Sequence, residues 1–166
     1  MAAGDAAAVA ALIRDAFAAQ SVVTDPLPSA LRVTEAEVME HLRTGAGAVA
    51  EAAGGVVGSA LWAEKDGGLY LARLAVASDW RRRGVAKALV AAAETAARSM
   101  GLARVHLSTR LVLLDNRRLF AACGFVETTR EAHPGYALPT FVNMEKVLRV
   151  APPPPTPLPQ GEGEKG

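Results

Sequence analysis

The chain is poor in cysteine and in aromatic residues: one Cys, two Trp, two Tyr and four Phe among 166 positions. Cys123 alone can close no internal disulfide and build no cysteine metal cage, and so low a thiol content suits a reducing cytosol. With few rings to pack, the core must come from Leu, Val and the many alanines. Long apolar runs are missing too. No segment approaches the ~20 unbroken apolar residues of a membrane span, and no basic stretch leads into an apolar one at the start, so the expected location is cytoplasmic. Neither sign of charge is in excess: 18 Lys and Arg against 17 Asp and Glu leave a formal +1. No global field is available to hold a polyanion, so any phosphate binding has to be local. The three histidines, His41, His106 and His133, are scattered, and no metal site is expected.

What is present fits a single domain over 1–150 with one buried core. From Ala151 the run "APPPPTPLPQGEGEKG" has nothing to bury and reads as a disordered or polyproline-like tail, 151–166. Asp5 is placed to cap a helix over about 6–19, with Val9, Leu12, Ile13, Ala16 and Phe17 on one face. A proline-broken loop follows. Thr34 and Glu37 have capping-box spacing and open a second helix through Val38 and Leu42, which stops at Gly45. The period then changes to that of strands: "AVAEAA", "VVGSALWAEK" and "LYLARLAV", separated by Gly54-Gly55 and Asp66-Gly67, predict an antiparallel meander. A third helix carries Val85, Leu89, Ala92, Ala96 and Met100 on one side, with Glu94 and Arg98 at the favourable i,i+4 spacing, and ends at Gly101. "ARVHLST" is the next strand. Asp115 caps a short helix over 116–122, which Gly124 and apolar Phe125 stop in a Schellman-like manner, and "FVETTRE" and "TFVNMEKVL" are the last strands. The order α-α-β-β-β-α-β-α-β-β predicts an α+β fold with a mixed sheet. Its strand–helix–strand unit over 69–109 must be parallel through a right-handed crossover, while the other strands can pair antiparallel.

The most informative stretch is "SDWRRRGVAKAL" at 78–89, where a strand hands over to a helix. The first amides of a helix have no internal partners, and the helix dipole adds partial positive charge there. Gly84 lets the chain bend and a ligand approach the main chain, small Ala86 keeps the surface open, and Arg81, Arg82 and Arg83 add charge at the rim. That is an anion site suited to a diphosphate. A Walker loop and a three-glycine dinucleotide fingerprint are both absent.

"LAVASDWRRRGVAKALV" resembles the acetyl-CoA-binding segment of the GNAT acetyltransferases, whose pattern Gln/Arg-x-x-Gly-x-Gly/Ala is matched by Arg81, Gly84 and Ala86. The resemblance extends over residues 5 to about 148. It implies a GNAT-like mixed, mostly antiparallel sheet with one parallel βαβ unit and helices on both faces. It also implies acetyl-CoA as co-substrate, main-chain groups near Leu74 and Val76 facing the pantetheine, and amides over Arg82–Lys87, with Val85 among them, holding the pyrophosphate. The later family motif is matched by Asn116, Phe120 and Gly124-Phe125, so the resemblance places Asn116 on the pantetheine and Phe120 near the thioester. The implied function is N-acetyl transfer to a small-molecule or amino-acid-like amine, with a homodimer among the expected assemblies.

Two departures bear on mechanism. Many members carry a Tyr where this chain has Phe120, and phenylalanine cannot protonate a leaving thiolate. The family also opens with an edge strand, whereas this sequence starts "MAAGD" at the helix cap, so either the start codon is assigned late or that strand is missing. For proton transfer the candidates are His133 as base and Tyr136 as acid, both in the "EAHPGY" loop that borders the acceptor pocket in this family. Glu51 and Glu64 are further bases acting through water. Cys123, His106 and His41 read as a core residue, a sheet residue and a solvated residue. In the acceptor-side loop 21–33 Asp25 is the only charge before Arg32, which predicts no strongly charged acceptor. The alternatives are a non-catalytic acetyl-CoA-binding module and acetylation of a protein N-terminus or lysine. A nucleic-acid binder using Arg81–Arg83 is disfavoured by the balanced charge, and no nucleic-acid or membrane partner is expected.

Overall fold

The computed structural model describes residues 1–149 and 154–157. The tail expected over 151–166 lies mostly outside them; its residues 154–157 are exposed and belong to no helix or strand. The elements run α1 (Ala6–Ala18), α2 (Glu35–Thr44), β1 (Ala46–Ala52), β2 (Gly55–Lys65), β3 (Gly68–Val76), α3 (Val85–Ser99), β4 (Arg104–Arg110), α4 (Leu114–Ala122), β5 (Val126–Glu131) and β6 (Phe141–Val147). This is the predicted order. The strands form one six-stranded sheet in the order β1-β2-β3-β4-β6-β5. All neighbours are antiparallel except β3 and β4.

Helices cover both faces. On one, Val9, Leu12, Ile13 and Ala16 of α1 and Val38 of α2 pack with Leu61 and Ala75 of the sheet. On the other, Leu89, Val90, Ala93 and Ala97 of α3 and Phe120 of α4 pack with Trp62, Leu69, Leu71, Leu107 and Met144. Gly58 of β2 allows α3 to lie this close, since a Cβ there would stand 2.6 Å from Val85 Cγ1.

The capping signals hold where they are local. Thr34 Oγ1 accepts from Glu37 N at 3.2 Å, and Glu37 Oε2 accepts from Thr34 N at 2.9 Å, completing the box. The end of α4 is a Schellman motif: Phe125 N donates to Phe120 O and Gly124 N to Ala121 O, each at 3.0 Å.

Several expectations are corrected. Asp5 makes no side-chain bond to the amides of α1; it accepts from Ala2 N at 2.7 Å and organises a short turn before the helix. The first hairpin turns on Ala53 and Gly54, both at positive φ, so Gly55 already belongs to β2. Val85, Leu89, Ala92 and Ala96 of α3 pack on the core as expected, joined by the buried Val90, Ala93 and Ala97, but Met100 lies past the end of the helix and is exposed. Glu94 pairs with Lys146 of β6 at 2.5 Å and not with Arg98. The fourth helix starts at Leu114, which puts Asp115 inside its first turn.

The feature that shapes the molecule is a bulge in β3. Ser59 pairs with Ala75 and Leu61 with Ala72, so Arg73 and Leu74 together oppose Ala60, and Arg73 adopts φ 53°. One extra residue flips the alternation of side chains. Before the bulge Leu69 and Leu71 face α3; after it Leu74 takes that side and Ala75 turns toward α1. Pairing with β4 is confined to Leu69 with Val105 and Tyr70 with His106. Beyond those pairs the two parallel strands part and leave a cleft in the middle of the sheet.

Candidate active site

Two cavities lie along this cleft. One, of about 900 Å³, is walled by Leu74–Val76 at the end of β3, by the turn into α3 and by the start of α4. The other, of about 940 Å³, lies between the loop after α1, the β3 bulge, β4, and the β5–β6 loop. Phe17, Gln20, Leu74, Leu113 and Asn116 contribute to both linings, so the cavities meet where the strands separate.

The first cavity is built around an uncapped helix. Gly84 precedes α3 at φ 83°, offers no side-chain acceptor, and its Cβ position is open space. The bond from Ala88 N to Gly84 O, at 3.0 Å, closes the first turn, which leaves the amides of Val85, Ala86 and Lys87 without intrahelical partners. Arg82 also takes positive φ, at 60°, so the turn is tightly curled in front of these amides. Leu74, Val76, Arg81, Arg82, Gly84, Val85, Ala86, Lys87 and Asn116 all line this cavity.

The three arginines divide. Arg81 Nη2 donates to Ala16 O at 3.1 Å, tying the last turn of α1 to the loop while still lining the cavity. Arg82 lines the cavity. The Arg83 guanidinium lies 4.7 Å above the Trp80 ring and does not line it, so the expected rim of three charges is reduced to two. Phe120 lines the second cavity, buried and edge-on to Phe125 with centroids 5.9 Å apart.

Of the two proton-transfer candidates, His133 lines the second cavity. Its Nδ1 pairs with Thr140 Oγ1, which also accepts from His133 N at 2.9 Å, and its ring stands edge-on to Phe141 at 4.9 Å. Burial, helped by the charge of Arg110, holds this imidazole below its ordinary value. Tyr136 is not in either lining, and its hydroxyl donates to Asp25 Oδ1, joining the β5–β6 loop to the loop after α1. The carboxylate at this bond, with some burial, raises the phenol above its ordinary value. Glu51 and Glu64 are exposed, on β1 and β2, and neither lines a cavity. His106 lines the second cavity with Nε2 paired to Lys65 O at 2.8 Å. His41 is not merely solvated: its Nε2 reaches Trp62 O at 3.0 Å and ties α2 to the sheet. Desolvation raises the Cys123 thiol, as fits a packed residue. Two residues that sequence reasoning passed over, Arg73 and Arg110, line the second cavity. A charged residue inside the apolar run "LYLARLAV" was the available signal for the first.

Among the described residues no group of three or more His, Cys, Asp or Glu is placed to hold a metal, and no helix is long and apolar enough to cross a membrane.

The fold has counterparts among known proteins. The Acetyltransferase (GNAT) family model matches residues 10–125, and the chain belongs to that family. It is accordingly an acetyltransferase of the acetyl-CoA-dependent kind. No curated protein sequence matches it. Among solved structures it is similar to the ribosomal-protein-S18-alanine N-acetyltransferase from Escherichia coli, at 17% identity and a TM-score of 0.71, covering 92% of this chain and 94% of that one. It is also similar to a Salmonella typhimurium protein described as an acetyltransferase and solved with its cofactor acetyl-CoA, at 17% identity and TM-score 0.69, covering 93% and 94%. A Bacillus anthracis protein described as a streptothricin acetyltransferase, in complex with acetyl coenzyme A, matches at 16% identity and TM-score 0.59 over 63% of each chain. The chain thus spans under two thirds of that last protein. At such identities these likenesses establish the fold.

Proposed function

We propose that the chain transfers the acetyl group of acetyl-CoA directly to the amine of a small-molecule or amino-acid-like acceptor. The observation that carries the proposal is the uncapped start of α3, with its amides at Val85, Ala86 and Lys87, placed beside the opening between β3 and β4. These amides receive the pyrophosphate, with Arg82 and Lys87 supplying charge and Gly84 the close approach. The pantetheine runs along Leu74–Val76 and past Asn116, which brings the thioester to the shared wall of the two cavities. The acceptor enters from the other side.

The rate comes from holding the two substrates in line across the cleft. The neutral amine attacks the thioester carbonyl. A main-chain N–H at the splay stabilises the oxyanion, and the C–S bond then breaks. His133, held neutral near pH 7, removes the proton of the incoming ammonium. Phe120 gives the departing thiolate no proton. Coenzyme A thiolate is a fair leaving group, and water relays to it the proton that the attacking nitrogen loses as the amide forms.

Two measurements test this. Calorimetry should show acetyl-CoA binding to the native chain and none to Gly84→Trp, whose indole fills the curled turn; unchanged affinity in the variant refutes the assigned site. Thiol release over a panel of amines should show turnover. Tight binding with no turnover on any amine would make the chain a non-catalytic acetyl-CoA-binding module.

A further inference from the structure

Arg110 is the last residue of β4, at the point where that strand has already left β3. It lines the acceptor-side cavity, its Nη1 is fully shielded by protein, and its guanidinium makes no hydrogen bond or ion pair among the described residues. An arginine offers five donors in a planar fork and never gives up its charge in a protein. A shielded guanidinium nitrogen without a partner is costly, and the fold normally supplies one.

The neighbouring anions do not. Asp25 is close enough to act on Arg110 through space, but its Oδ1 accepts from Tyr136. Glu131 accepts from Asn143 Nδ2, and Glu145 pairs with Arg104 at 3.5 Å. Burial lowers the affinity of Arg110 for its proton, and the Tyr136 and Asp25 side chains offset only part of that effect. Lys65, Arg104 and Arg73 line the same cavity, Arg73 turned there by the bulge and held by a 2.9 Å bond to Ser29 Oγ.

We infer that the acceptor carries a carboxylate and that Arg110 receives it, in the fork-to-fork geometry that two parallel N–H···O bonds allow. The inference rests on the acetyl-transfer reading and adds the class of acceptor to it. It also reverses the expectation of an acceptor without strong charge. That expectation came from the loop after α1, whereas the charge reaches the cavity from β3 and β4.

The test uses the full chain at saturating acetyl-CoA and the twenty α-amino acids, each paired with its own carboxamide, with coenzyme A thiol release as readout. The acids should be preferred over their amides by about tenfold or more in kcat/KM, as expected for a charge-assisted bidentate contact. Arg110→Gln should bring that ratio close to one through KM, with acetyl-CoA affinity by calorimetry unchanged, and Arg110→Lys should restore part of it. The acid-to-amide ratio of the native chain needs no variant, so poor folding of either substitution leaves the proposal exposed to refutation. Equal use of acids and amides overturns it. So does a preference that survives Arg110→Gln, or acetyl-CoA binding with no acid or amide accepted. Failure of the native chain to bind acetyl-CoA at all removes the reading underneath, and the inference with it.

Discussion

His133 is half-buried against Phe141, and both the loss of water and the nearby Arg110 charge oppose its protonation. Its folded-state value therefore lies below the ordinary imidazole value of about 6.5. A base must be unprotonated, so the acid limb of kcat/KM should fall below pH ~6.5, and His133→Gln should abolish that limb while sparing acetyl-CoA affinity. The same shift has a consequence for stability. Between the folded and unfolded values the unfolded chain binds the proton more readily, so this contribution is intact above pH ~6.5 and is lost as the pH falls. Denaturant midpoints across that range, native against His133→Gln, measure it. At this scale the sequence was legible where a residue's partner is close in the chain. Thr34 with Glu37, and Gly124 with Phe125, do what their spacing says. Asp5 and Glu94 do not: one is taken by the turn before it and the other by a lysine on β6, and pairing across the fold has no signature in local spacing.

Among the elements, α2 is the shortest-range construction. It is short, Val38 is its only buried residue, and both ends of its capping box are exposed. Thr34→Ala should cost about 1 kcal/mol of stability, the ordinary worth of an N-cap hydroxyl, with acetyl-CoA affinity unaffected; a denaturant titration checks it. Element types and order followed from periodicity, because helix and strand place apolar residues at different repeats. The exposure of Met100 and the bulge of β3 did not. Met100 lies past the last residue of α3. A bulge is a disagreement between two strands, visible only once Ser59 and Leu61 are seen against Ala75 and Ala72.

At the scale of the molecule, the second cavity depends on segments far apart in the chain. Tyr136 and Asp25 clasp two of its loops by one charge-assisted bond. Tyr136→Phe and Asp25→Asn should each raise acceptor KM by about three- to tenfold, the worth of roughly one such bond, with kcat and acetyl-CoA affinity held. The double variant should be no worse than either single one, since both remove the same contact. A fall in kcat confined to Tyr136→Phe would instead make that hydroxyl the proton donor. From the sequence alone come the element order, the parallel crossover and the glycine turn that leaves the start of α3 uncapped, since each is written in neighbouring residues and their backbone hydrogen bonds. Tertiary structure alone decided that Arg81 serves α1, that Arg83 rests on Trp80, that the sheet opens at Arg73, and that Arg110 is left without a partner. Those outcomes depend on which distant groups packing brings within 3 to 4 Å, roughly the reach of a hydrogen bond or ion pair, and no local pattern specifies that.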